Sequence, residues 1–166
     1  FGLHTIRDGE AKPDPKEIEK SMVKLYRVAD GQHLLDLPTP VHRQASVTFN
    51  GNGNLLAAPN VITSRIDVWD LTLRSKQIEL EGAKPNSSLA FAPTGDRLIG
   101  HAVGYEEQLN VWEINSGNRL LNEVNYNFAS LSDNEIKFLA DNHRLIRWGA
   151  GGPPLILDAR PVDEIE

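Results

Sequence analysis

The chain has 166 residues, 40% of them hydrophobic and 24% charged, an ordinary balance for a soluble globular protein. Its net charge of −6 speaks against a nucleic-acid partner, because phosphate binding needs clustered Lys and Arg. It has no cysteine, which excludes disulfides, thiolate metal sites and cysteine nucleophiles, and no apolar run of about 20 residues that would cross a membrane.

In chain order, residues 1–6 read as a strand. Residues 7–20 follow as a polar loop containing Lys12-Pro13-Asp14-Pro15. This loop is long for a hairpin connection, so it is either a disordered insertion or a docking element. Leu25-Tyr26-Arg27-Val28 reads as a strand, Ala29-Asp30-Gly31 as a turn and His33-Leu34-Leu35-Asp36-Leu37 as the next strand. Ala45-Ser46-Val47-Thr48-Phe49 then alternates and meets Asn50-Gly51-Asn52-Gly53, a cluster of residues that tolerate positive φ. Leu55-Leu56-Ala57-Ala58, Arg65-Ile66-Asp67-Val68-Trp69 and Gln77-Ile78-Glu79-Leu80 complete a group of four short strands.

The same group then recurs. Leu89-Ala90-Phe91, Arg97-Leu98-Ile99-Gly100, Gln108-Leu109-Asn110-Val111-Trp112 and Arg119-Leu120-Leu121-Asn122-Glu123-Val124 form the second copy, with Asn115-Ser116-Gly117 as its last turn. Ile136-Lys137-Phe138, a run ending at Leu145, and Ile156-Leu157-Asp158-Ala159 begin a third. Phe49, Phe91 and Phe138 are each followed four residues later by Gly53, Gly95 or Asn142 and seven later by Leu. That fourth position demands positive φ, where Asn is the best substitute for Gly. The Phe residues are 42 and 47 apart, and Tyr26, Trp69, Trp112 and Leu157 are spaced 43, 43 and 45 apart. Two landmarks sharing one period define an all-β array, and no helix of ordinary length fits between its turns.

A Trp-Asp pair closing a third strand, a Phe-x-x-x-Gly-x-x-Leu hairpin and this period resemble the WD40 repeat, from Met22 to Ala159. The resemblance implies an all-β propeller arc of about four blades. Residues 1–37 would be a partial blade, 45–81 and 87–124 complete blades, and 135–160 a second partial one. Phe49, Trp69, Phe91, Trp112 and Phe138 would then pack between blades. Two features depart from the family: the Gly-His pair appears only as Gly82-Ala83, and the Asp expected before the Trp is Thr63 or Glu106. The buried hydrogen-bond chain built on that His and Asp is therefore expected to be absent, leaving apolar packing to join the blades. Quinoprotein-like propellers share a similar blade pattern.

A propeller has roughly 4–8 blades. Both partial blades here hold a second and a third strand, so they cannot complete each other. The expectation is a segment of a larger propeller whose remainder comes from the same chain or a partner chain.

On such a scaffold function sits in loops. One rim carries the connections from fourth to first and from second to third strands. On it, His42, Arg43, Tyr105 and Tyr126 are of the residue types that favour protein contacts. The Gly run after Trp148 leads to prolines and a strand rather than a helix N-terminus, which argues against nucleotide binding. There is no Gly-x-Ser-x-Gly elbow and no His-Glu-x-x-His, and the five His lack metal spacing. No catalytic, cofactor or metal residues are assigned.

The sequence thus points to a non-catalytic scaffold for protein partners, with neither nucleic acid nor membrane involved. The alternative is the propeller domain of an enzyme (quinoprotein-like, lactonase-like or hydrolase-associated) whose chemistry lies elsewhere. A cytoplasmic location is the expectation, and a periplasmic one fits the lack of cysteine equally well.

Overall fold

A computed structural model describes residues 22–41, 46–84, 87–102, 107–125, 135–148 and 154–158. Thirteen strands occupy them: β1 (Met22–Tyr26), β2 (His33–Pro40), β3 (Thr48–Phe49), β4 (Leu55–Asn60), β5 (Arg65–Asp70), β6 (Ser75–Leu80), β7 (Ser88–Phe91), β8 (Arg97–Ala102), β9 (Glu107–Glu113), β10 (Arg119–Asn125), β11 (Glu135–Phe138), β12 (Arg144–Trp148) and β13 (Leu155–Asp158). They form four antiparallel sheets in sequence order: β1-β2, β3 to β6, β7 to β10, and β11 to β13. Each sheet is a meander of neighbouring strands, the form a blade takes.

The hairpin turns follow from local chemistry. Gly53, Gly95 and Asn142 adopt φ of 74°, 78° and 66°, the left-handed conformation that their shared place in the repeat requires. The turns from third to fourth strand use Gly31 and Gly117 in the first and third sheets, at φ of 71° and 73°. The second sheet puts Arg74 there instead, at φ 54°. β3 is only two residues long. Its ladder with β4 stops at Ala57, short of Pro59, which has no N–H to extend it.

Alternation gives the second and third sheets two apolar faces, and successive sheets meet in three cores. Val23 and Leu37 of the first sheet meet Leu56, Ala58 and Trp69 of the second. The opposite face of the second sheet (Leu55, Ala57, Ile66, Val68 and Leu80) meets Leu89, Leu98 and Trp112 of the third. Ile99, Leu109 and Val111 on the far face of the third sheet meet Leu145 of the fourth, with Phe138 and Leu157 alongside. The innermost strands β3, β7 and β11 lie side by side. Stacked blades joined by such cores make an arc.

Candidate functional site: the rim and the cluster beneath it

The four rim candidates, His42, Arg43, Tyr105 and Tyr126, lie outside the described residues. What the structure describes is the base from which the loop of His42 and Arg43 springs.

The base begins at Thr39, between Pro38 and Pro40 at the end of β2. Its hydroxyl donates to Asp67 Oδ2 at 2.7 Å and accepts the Trp69 indole N–H at 2.8 Å. Asn60 Nδ2 donates to the same Asp67 oxygen at 2.9 Å. Among the described residues no well-aligned hydrogen bond reaches Asp67 Oδ1, which is neutralised instead by Lys76 Nζ, 3.1 Å away. Lys76 also contacts Glu79 at 2.6 Å and lies 5.6 Å from the centre of the Trp69 ring. Thr39 and Asp67 are fully buried. A buried carboxylate is tolerated only when paired and hydrogen-bonded, and here both conditions hold.

Burial opposes the Lys76 charge, but the contacts with Glu79 and Asp67 outweigh it and hold its pKa above the usual lysine value. Glu79 is held below the usual carboxylate range by the Lys76 hydrogen bond first and by that from Arg65 second.

This arrangement adds a buried hydrogen-bond chain to the apolar packing expected to join the blades alone. It lies between the first and second sheets, running from Trp69 through Thr39 to Asp67. It is built from residues other than the Gly-His pair and the loop Asp that the WD40 resemblance pointed to.

The cluster also fixes the rim above it. Asn60 Oδ1 accepts the backbone N–H groups of Ile62 at 3.0 Å and Thr63 at 3.2 Å, which closes the turn at residues 61–64. Val61 N–H donates to Pro40 O at 2.8 Å. The end of β2, where the loop carrying His42 and Arg43 begins, is thus tied to the neighbouring turn. At the tip of that turn Ile62 is 55% exposed. Beside it Arg65 bridges Glu79 at 3.1 Å and Glu81 at 2.6 Å. Ile62 and the Arg65–Glu81 pair are rim features that the sequence reading missed. An apolar β-branched residue in a four-residue turn was the available signal.

The next interface repeats the plan without charge. Trp112 Nε1–H donates to Glu81 O at 2.9 Å and Asn110 Nδ2 to Gly82 O at 3.2 Å, fixing the start of the following rim loop. Asn110 Oδ1 is buried without a hydrogen-bond partner among the described residues.

Of the residues assigned to inter-blade packing, Trp69 and Trp112 are buried. Phe91 and Phe138 are partly buried against the second and third cores. Phe49 is 50% exposed. On the opposite rim the first hairpin turns touch one another. Asn142 Oδ1 accepts the Thr94 N–H at 3.3 Å, and Asn142 Nδ2 donates to Asp96 Oδ1 at 3.2 Å. Among the described residues no group of three His, Cys, Asp or Glu stands together to hold a metal. No helix there is long and apolar enough to cross a membrane.

No protein-family model and no curated protein matches the chain. Solved structures do. Hydrazine synthase of Kuenenia stuttgartiensis matches with a TM-score of 0.60 at 16% identity, over 80% of this chain and 38% of that one. The β-propeller domain of Cps50 (Swd1) from Myceliophteria thermophila matches with a TM-score of 0.52 at 23% identity, over 70% of this chain and 36% of that one. The computationally designed Ika4 protein matches with a TM-score of 0.59 at 17% identity, over 84% of this chain and 80% of that one. This chain therefore spans well under half the length of the first two. At these identities the likeness speaks for the fold, which it places together with the strand meanders and the recurring Trp positions: the chain is an arc of a β-propeller.

Proposed function

We propose that the chain is a non-catalytic scaffold that binds partner proteins through the rim loops following β2, β4, β6, β8 and β10. The observation that carries this reading is the Thr39–Asp67–Asn60 cluster. It locks the end of one blade to the turn of the next and so gives the loop of His42 and Arg43 a rigid footing. Loops on a rigid base lose less freedom on binding than loops on a mobile one. The likeness to the Cps50 (Swd1) propeller domain supports the reading. The Ile62 tip and the Arg65–Glu81 pair add an apolar contact and a charged rim to the same surface.

A second reading, the propeller domain of an enzyme, is favoured by one observation: a similar structure is a hydrazine synthase. Affinity capture of the full-length protein, followed by mass spectrometry of bound proteins, metals and cofactors, separates the two. The scaffold reading expects a stoichiometric protein partner that is lost when His42, Arg43, Tyr105 and Tyr126 are all replaced by Ala. A stoichiometric cofactor with no protein partner would overturn it.

A further inference from the structure

Asn50-Gly51-Asn52-Gly53, in the first hairpin of the second sheet, holds both Asn-Gly pairs of the chain. An asparagine side-chain amide is open to attack by the backbone nitrogen of the residue that follows it, and glycine, without a Cβ, lets the two approach. The reaction needs a side-chain carbonyl carbon free to swing onto that nitrogen, and a nitrogen whose proton can leave. Each pair in this turn is denied a different one. In the first pair the carbon is held. Asn50 is 8% exposed, its Oδ1 accepts the Leu55 N–H at 3.0 Å, and its Nδ2 donates to Asn54 Oδ1 at 2.8 Å. Gly95 of the third sheet closes over it, since a Cβ there would lie 3.0 Å from Asn50 Nδ2. The Gly51 N–H, by contrast, makes no hydrogen bond among the described residues. In the second pair the nitrogen is held. The Gly53 N–H donates to Asn50 O at 3.0 Å, while Asn52 is exposed and its Oδ1 accepts only the Asn54 N–H, at 3.1 Å.

We propose that this turn is a modification site with an order built into it: Asn52 deamidates in the folded protein, and Asn50 only after the hairpin has opened. The bonds that guard Asn52 lie in an exposed turn and break when the turn frays. Those that guard Asn50 run to Leu55, which is buried in the core between the second and third sheets, so β3 and β4 must part first. The step balances with water alone. The Gly53 nitrogen gives up its proton and bonds to Asn52 Cγ, the Cγ–Nδ2 bond breaks, and ammonia leaves. Water then opens the cyclic imide at either carbonyl, giving aspartate or isoaspartate and a new negative charge. An aspartate at 52 can still accept the Asn54 N–H, so the fold tolerates it. At 50 the change removes the donor to Asn54 Oδ1 and sets two oxygens face to face. The charge arises on the rim opposite the loops proposed to bind proteins, and the inference stands whether or not they do.

The full chain, held at mildly alkaline pH and sampled over time, is followed at both positions by peptide fragmentation in the mass spectrometer. In native buffer Asn52 is expected to deamidate about tenfold faster than Asn50, or more. In guanidinium chloride, where the turn is gone, the two rates should agree within about twofold. Asn54→Ala removes the acceptor of Asn50 Nδ2 and keeps the backbone N–H that Asn52 uses. It should raise the native Asn50 rate about threefold or more, with the Asn52 rate as internal control. Equal native rates at the two positions, or deamidation of Asn52 in denaturant alone, would overturn the proposal. So would an Asn50 rate that Asn54→Ala leaves unchanged.

Discussion

The two described interfaces around the second blade solve one problem in different ways. Two residues before the Trp, the blades carry Asp67 and Asn110, which stand opposite Ala58 and Gly100 across the ladder. At Gly100 a methyl group would lie 2.8 Å from Trp112 Cζ3, so the bare backbone lets that indole lie flat on the strand. Trp112 then reaches the carbonyl of Glu81 directly. Trp69 has Ala58 in place of that glycine, and its N–H meets the Thr39 hydroxyl as a bridge to a buried carboxylate. The Trp112 indole is thus served by a backbone carbonyl and the Trp69 indole by a side chain. That side chain leads to a buried charge that must be neutralised, and Lys76 does so.

The widest gap between the interfaces should appear when the paired carboxyl positions are emptied. Asp67→Ala leaves Lys76, Thr39 and Asn60 without their common acceptor and is expected to cost about 3 kcal/mol, the scale of a broken buried ion pair. Asn110→Ala removes one long hydrogen bond and an oxygen that has no hydrogen-bond partner among the described residues, so a cost below about 1 kcal/mol is expected. Urea denaturation of both variants measures the difference, and equal costs would erase the contrast. Next in size, Gly100→Ala should destabilise by about 1–3 kcal/mol through overpacking against Trp112 and Leu89, read by the same method.

Acid should act next. Glu79 lies below its usual pKa through Lys76 and Arg65. Asp96 is also lowered, burial being outweighed by the hydrogen bonds from Thr94 and Asn142. The Arg144 backbone N–H, its guanidinium and the His143 N–H hold Asp141 at about 2. A carboxylate with a folded pKa below its unfolded value adds stability above the unfolded pKa and loses it as pH falls. Thermal melting should therefore be flat from neutrality down to about pH 5 and weaken below it, between the ordinary values of 4.5 and 3.8 and about 2. A melting temperature unchanged at pH 3 would contradict this. The smallest effect, and a gain, is Arg74→Gly. It relieves a positive φ that the other two turns give to glycine, for about 0.5–1 kcal/mol in a urea melt.

Much of the architecture was legible because it is local. The left-handed position at Gly53, Gly95 and Asn142 can be read from three aligned hairpins, since the steric demand acts within one turn. The Thr39–Asp67 bond was not legible, because its partners are 28 residues apart in different sheets and meet only once blades stack. The WD40 resemblance directed attention to a His and an Asp at loop positions, while this chain places its acid inside β5 and its hydroxyl between two prolines. Ile62 on the rim escaped for a similar reason: its turn is defined by Asn60, whose side chain faces both the turn and the buried cluster.

Thr39 and Asp67 act as one unit clamping the first blade to the second. A double-mutant cycle with Thr39→Val and Asp67→Ala, read by urea denaturation, tests it most directly. A coupling of about 1 kcal/mol or more is expected, because each substitution disables the same bridge. Additive costs, with coupling below about 0.3 kcal/mol, would contradict it and return the interface to apolar packing alone.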